Sequence, residues 1–102
     1  MEKKNFITDY FDHFKRVAFD NSIEPLLFEL SKILRRASSK GNKVIFAGNG
    51  ASATIASHCA LDFTKQAGIR AISFNDSAIL TAYGNDYGYE QWVSKALEHY
   101  AD

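Results

Sequence analysis

Lys43 to Ala47 (KVIFA) runs without a break into Gly48-Asn49-Gly50-Ala51-Ser52, and a helical pattern follows from Ser52 to Gln66. A short, β-branched apolar run is the mark of a buried parallel strand. Joined directly to a glycine-rich turn and a helix, it restricts the chain to layers of helices on a parallel sheet. The rest of the pattern agrees. Ile69 to Phe74 (IRAISF) reads as a second strand after Gly68. Ser77 to Tyr83 reads as a short helix, Gly84 to Gly88 as a turn, and Tyr89 to Tyr100 as a final helix with Trp92, Val93, Ala96 and Leu97 inward.

Upstream, two amphipathic helices are expected. Phe6, Ile7, Tyr10, Phe11, Phe14, Val17 and Ala18 recur at three- and four-residue steps, with Asp12, Lys15 and Arg16 opposite. Ser22 is the expected N-cap of the second helix, with Pro25 in its first turn. Ile23, Leu26, Leu27, Leu30, Ile33, Leu34 and Ala37 form its stripe, and Gly41 suits a left-handed C-terminal position. The order is ααβαβα, with residues 1–42 as a helical pair and 43–102 as the start of the α/β core. Two strands make a small sheet, and a parallel pair ordinarily sits in a larger one covered on both faces. The chain is therefore expected to be the front part of a larger α/β domain, and not a stable monomer by itself.

Length and charge narrow the function classes. With 102 residues the chain holds one domain. Twelve basic side chains balance twelve acidic ones. That balance argues against nucleic-acid binding by phosphate neutralisation and against an anionic membrane surface. No apolar run reaches the length of a membrane span, and Met1-Glu2-Lys3-Lys4-Asn5 lacks the apolar core of a signal peptide, so a cytoplasmic protein is expected. Aromatic residues make up 14% of the chain. That is a large burial capacity for so short a sequence, and it points to a core shared with more protein.

Three segments carry chemistry. In the first, Gly48-Asn49-Gly50-Ala51-Ser52, glycines allow a sharp bend and close approach to a ligand, and the helix N-terminus offers N–H groups and partial positive charge. It fits equally a plain strand-to-helix turn with Ser52 as N-cap. Gly48, Gly50 and Ala53 also match G-x-G-x-x-A, but Asp76 lies 28 residues after Gly48, beyond the usual ~20 of a dinucleotide site. In the second, His58 and Asp62 stand four apart on one helical face, away from the Ala56, Ala60, Phe63 and Ala67 stripe. The pair suits a divalent metal or acid–base work, but spacing alone favours a plain surface pair worth a few tenths of a kcal/mol. Cys59 falls beside the apolar stripe, and His13 and His99 lack partners at metal spacing. The third comprises Asn75-Asp76-Ser77 and Gly84-Asn85-Asp86-Tyr87-Gly88. These polar loops follow the second strand, at the rim where open parallel sheets bind ligands. Turn chemistry accounts for Asn75.

Taken together, GNGAS at 48–52, His58-x-x-x-Asp62 and LTAYGNDYGY at 80–89 resemble the sugar isomerase (SIS) domain of phosphoheptose isomerases. The resemblance covers nearly the whole chain, in order. It implies a three-layer α-β-α sandwich with a parallel sheet, of which this chain is the N-terminal part. It implies a cytoplasmic homotetramer acting on a phosphorylated sugar. The reaction would interconvert sedoheptulose 7-phosphate and a heptose 7-phosphate for lipopolysaccharide or capsule heptose synthesis.

By the same resemblance, Asn49, Gly50, Ala51 and Ser52 would line the substrate loop, and Asn85 and Asp86 would contact substrate. His58 and Asp62 would bind zinc, with Asp62 as catalytic base and a substrate contact. The implied chemistry is an aldose–ketose isomerisation through an enediol. Family members carry glutamate where Asp62 stands, and commonly glycine where Ala51 stands. The chain is expected to end before their serine-rich phosphate loop and their C-terminal helix, which supplies the remaining metal and catalytic groups, so as this short chain alone it is expected to be inactive. The other reading the resemblance allows is a non-catalytic SIS protein that binds phosphosugars or a protein partner for regulation.

Overall fold

The computed structural model describes the backbone of residues 3–102 and the side chains of residues 5–102. Met1 and Glu2, read above as part of a start without a signal peptide, lie outside the described residues. The chain divides into two compact units, Met1–Lys32 and Ile33–Asp102.

The first helix, α1, spans Lys3–Ala18, close to the range its apolar spacing predicts. The second, α2, spans Glu24–Ser39 and carries Pro25 in its first turn. Ser22 is not the cap between them. Asp20 takes that place: its carboxylate accepts the Ser22 N–H at 2.9 Å and opens a 3-10 turn, Asn21–Ile23, ahead of α2. That hydrogen bond to the charged form holds the Asp20 carboxyl below the usual carboxylate range. The apolar stripes of both helices face outward: Phe6, Ile7, Tyr10, Phe11, Phe14 and Val17 are 51–65% exposed, and Leu26, Leu27, Leu30 and Ile33 are equally open.

In the second unit, strands β1 (Val44–Phe46) and β2 (Ala71–Ser73) pair in parallel, with Val44 opposite Ala71, Ile45 opposite Ile72 and Phe46 opposite Ser73. Both strands are shorter than their apolar runs, since a ladder forms only where the two overlap. With a single neighbour each, they are half-buried and not buried.

Successive residues of a strand point to opposite faces, and each face has its own cover. Helix α3 (Ala51–Lys65) lies on one: Phe63 meets Phe46 edge-on, ring centroids 5.0 Å apart, and Ala56 and Ala60 are buried. Thr64 Oγ1 accepts the Ala71 N–H at 3.2 Å and fastens the start of β2 to this helix. On the other face Ile45 and Ile72 join a core of Phe74, Trp92 and Ala96. It is completed by Ile79, Leu80, Tyr83 and Val93 from α4 (Ser77–Tyr87) and α5 (Trp92–Tyr100). Phe74 is wholly buried. That burial contributes on the order of 2–3 kcal/mol. The result is an α-β-α sandwich.

Three details differ from the sequence pattern. Gly84 to Tyr87, expected as a turn, complete α4, and a 3-10 turn, Tyr89–Gln91, precedes α5. Leu97 and Ala67, expected inward, are exposed: Leu97 sits past the edge of the stripe α5 buries, and Ala67 lies beyond the end of α3 at Lys65. Tyr83 is shielded by its neighbours, chiefly through desolvation, which raises its phenol above the ordinary value; its oxygen lies 2.6 Å from His99 Nδ1.

Candidate functional site

The loop that leaves β1 has no room for a side chain at Gly48. A Cβ on Gly48 would fall 2.3 Å from the Ser52 carbonyl oxygen and 2.8 Å from the Ala53 nitrogen. Both are backbone atoms that cannot swing aside. Gly50 adopts φ 58° and ψ −124°, a region that only glycine enters without strain. The loop closes on itself: the Ser52 N–H donates to Asn49 O at 3.1 Å and the Ala53 N–H to Gly50 O at 3.0 Å. Gly50 holds the cap position of α3 and no side chain caps the helix, so Ser52 is not its N-cap. Among the described residues no side chain is hydrogen-bonded to the positive end of α3.

One side chain reaches this loop from afar. The Tyr89 hydroxyl, at the start of the turn before α5, donates to Asn49 Oδ1. Together with Ala47, Gly48, Trp92 and Val93 the two residues line a cavity of about 340 Å³ at the carboxyl end of β1. That size lies within the range of small-ligand sites. Tyr89 was not legible as a site residue, because an aromatic at a helix start reads as core.

His58 and Asp62 meet one turn apart on α3. His58 Nε2 lies 3.2 Å from Asp62 Oδ2, and the side chains are 72% and 50% exposed. Their common face is open, and a third partner can enter. Among the described residues no group of three or more metal-ligating side chains comes together.

Asn85 and Asp86 occupy the last turn of α4, where Asn85 Nδ2 donates to Asp86 Oδ1 at 3.2 Å. Both are exposed, and Gly88 and Tyr89 carry the chain from them to the Asn49 loop. Asp76 is committed elsewhere: its carboxylate caps α4, accepting the Ala78 N–H at 2.9 Å and the Ile79 N–H at 3.3 Å. That removes the acidic residue a dinucleotide site would need on its ribose. Asn75 does more than turn the chain. Its Nδ2 donates to Ala53 O at 2.5 Å and to Ser57 Oγ at 2.6 Å, tying the end of β2 to the first turns of α3, while its Oδ1 is buried without a partner.

Known proteins with this sequence and fold agree on one name. The phosphoheptose isomerase of Akkermansia muciniphila is 35% identical over 101 residues, covering 93% of this chain and 52% of that protein. The chain belongs to the phosphoheptose isomerase family. The Thermodesulfovibrio yellowstonii phosphoheptose isomerase is 38% identical over 79 residues, 72% of this chain and 39% of its own. Solved structures place the fold in the same family. The phosphoheptose isomerase from Francisella tularensis matches with a TM-score of 0.82 at 28% identity, over 98% of this chain and 55% of that one. The one from Neisseria gonorrhoeae matches with a TM-score of 0.75 at 27% identity, over 95% and 54%. The chain spans about half the length of these relatives. No family model matches it.

Proposed function

We propose that the protein isomerises a phosphorylated ketose, interconverting sedoheptulose 7-phosphate and a heptose 7-phosphate by enediol proton transfer. The observation that carries this reading is the tight glycine loop at Gly48–Gly50, which presents Asn49 beside a helix end with no side-chain cap, on the helix that also bears the His58–Asp62 pair. Backbone N–H groups and the Asn49 amide bind substrate oxygens there. Asp62 takes the proton beside the carbonyl and returns it to the neighbouring carbon; its carboxylate is half exposed, as a base that meets a substrate must be. Asn85 and Asp86 contact the substrate from the end of α4.

His58 and Asp62 fit a shared zinc ion. Their donor atoms lie 3.2 Å apart. Two donors each ~2.0–2.2 Å from a tetrahedral zinc stand roughly 3.3–3.6 Å apart, so the pair would open slightly to take the ion. Nitrogen and carboxylate oxygen are both ordinary zinc ligands, and the pair would supply two of the four. Bound there, the metal would act as a Lewis acid on the substrate's carbonyl oxygen.

The exposed stripes of α1 and α2 support a homo-oligomer, proposed as a tetramer, since large open apolar patches mark contact surfaces. Among the described residues no helix is long and apolar enough to cross a membrane. We place the protein in the cytoplasm, in heptose supply for lipopolysaccharide or capsule. The test is turnover of sedoheptulose 7-phosphate by the native protein, with zinc measured on the same sample. Turnover with zinc bound is expected. Phosphosugar binding without turnover would favour the non-catalytic SIS regulator instead.

A further inference from the structure

The cavity beside the glycine loop has mostly apolar walls, from Ala47, Trp92 and Val93. Asn49 and Tyr89 bring polar side-chain groups to it, and these are hydrogen-bonded to each other. An asparagine amide has an acceptor end and a donor end of almost the same shape, and an unrestrained amide offers either. The phenol decides between them. A phenol donates better than it accepts, because its oxygen lone pair is delocalised into the ring. The Asn49 Oδ1 is therefore held on Tyr89, and both Nδ2 hydrogens are left for a ligand.

We propose that Tyr89 is the positioning residue of the substrate loop: it locks the Asn49 amide so that the site presents donors, and selects an oxygen acceptor of the sugar phosphate. Tyr89 is 58% exposed and its ring lies against Trp92, centroids 6.3 Å apart. It acts through Asn49. Its kinetic consequence rests on the isomerase reading; its structural consequence does not.

The variant that isolates the hydroxyl is Tyr89→Phe, which keeps the ring and its packing on Trp92. Two measurements on the native protein decide the matter. The first is the side-chain amide resonance of Asn49 in protein labelled with ¹⁵N-asparagine. A shift of that signal in Tyr89→Phe is expected, and an unmoved signal overturns the proposal without any substrate being needed. The second is steady-state turnover of sedoheptulose 7-phosphate. Tyr89→Phe should raise KM roughly tenfold with kcat held within about threefold, the size expected for one lost hydrogen bond in ground-state binding. In an Asn49→Ala background the same change should alter KM by less than about twofold, because the residue through which Tyr89 acts is gone. An equal loss in both backgrounds overturns the proposal, since Tyr89 would then act independently of Asn49. Absence of turnover in the unmutated protein would sink the isomerase reading and leave the amide resonance to decide this one.

Discussion

Asp62 and Gly48 fail in different ways when changed, and the difference separates chemistry from architecture. Asp62→Asn keeps the shape of the side chain and removes its basicity. Exchange of the substrate's transferable proton with deuterated solvent should fall by at least about 100-fold, the ordinary worth of a positioned general base. Retained exchange would move the base elsewhere. His58→Ala should lower the zinc bound per chain and the turnover together while the oligomer stays intact; unchanged metal content would remove His58 from the ligand set. Gly48→Ala acts on the backbone instead. Its Cβ would collide with the Ser52 carbonyl and the Ala53 nitrogen, so the loop must open to admit it. A stability loss on the order of 1–3 kcal/mol is expected, the usual penalty of an added methyl in a tight site, and it should show in thermal unfolding.

Helix α4 matters because its two ends have separate duties. Its first turn is held by the Asp76 carboxylate, and its last turn presents Asn85 and Asp86. Asp76→Ala removes the cap, and a loss of about 1 kcal/mol in denaturant unfolding is expected. An unchanged midpoint would show that packing against α5, and not the cap, holds the helix start. Gly84-Asn85-Asp86 has the composition of a turn, yet the helix continues through it to Gly88. Tyr83, directly before, packs against the Phe74–Trp92–Ala96 core, and that contact carries the helix past residues with weak helical preference.

Within the unit Ile33–Asp102 a charged clasp holds the entrances of the two strands. The Asp102 carboxylate accepts the Lys43 N–H at 3.0 Å, the Lys43 ammonium at 2.8 Å and the Arg70 guanidinium at 3.4 Å, joining the residue beyond α5 to the entrances of both strands. The Lys43 hydrogen bonds hold the Asp102 carboxyl below the usual carboxylate range. A lowered native pKa gives stability that is complete above the unfolded carboxylate's pKa of about 3.9 and is lost as pH falls through the native value. The Tm difference between native protein and Asp102→Asn should be steady near neutrality and shrink below about pH 4. A difference that persists in acid would assign the effect to packing. The open stripe of α1 bears on assembly. Phe11→Glu places a charge in it, and sedimentation should then report a smaller species than the native one.

Local pattern alone determined much of this protein. The period of the apolar residues set the helices and the two short strands, since burial has to follow the backbone's own repeat. The glycines at 48 and 50 marked the tight turn from β1 into α3, because Gly48 has no room for a Cβ and Gly50 takes a positive φ. The spacing of His58 and Asp62 put both on one helical face. Everything that depended on a distant partner was decided by the tertiary structure. Asp76 could have served a ribose or a helix, and the direction of the chain after β2 chose the helix. Asn75 had the composition of a turn, and the approach of α3 made it a tie between layers. Tyr89 lies 40 residues from Asn49, and only the folding of α5 against the sheet brings its hydroxyl to that amide. A side chain's neighbours along the chain fix its periodicity, whereas its hydrogen-bond partner is fixed by which layers meet, and that is a property of the packed molecule.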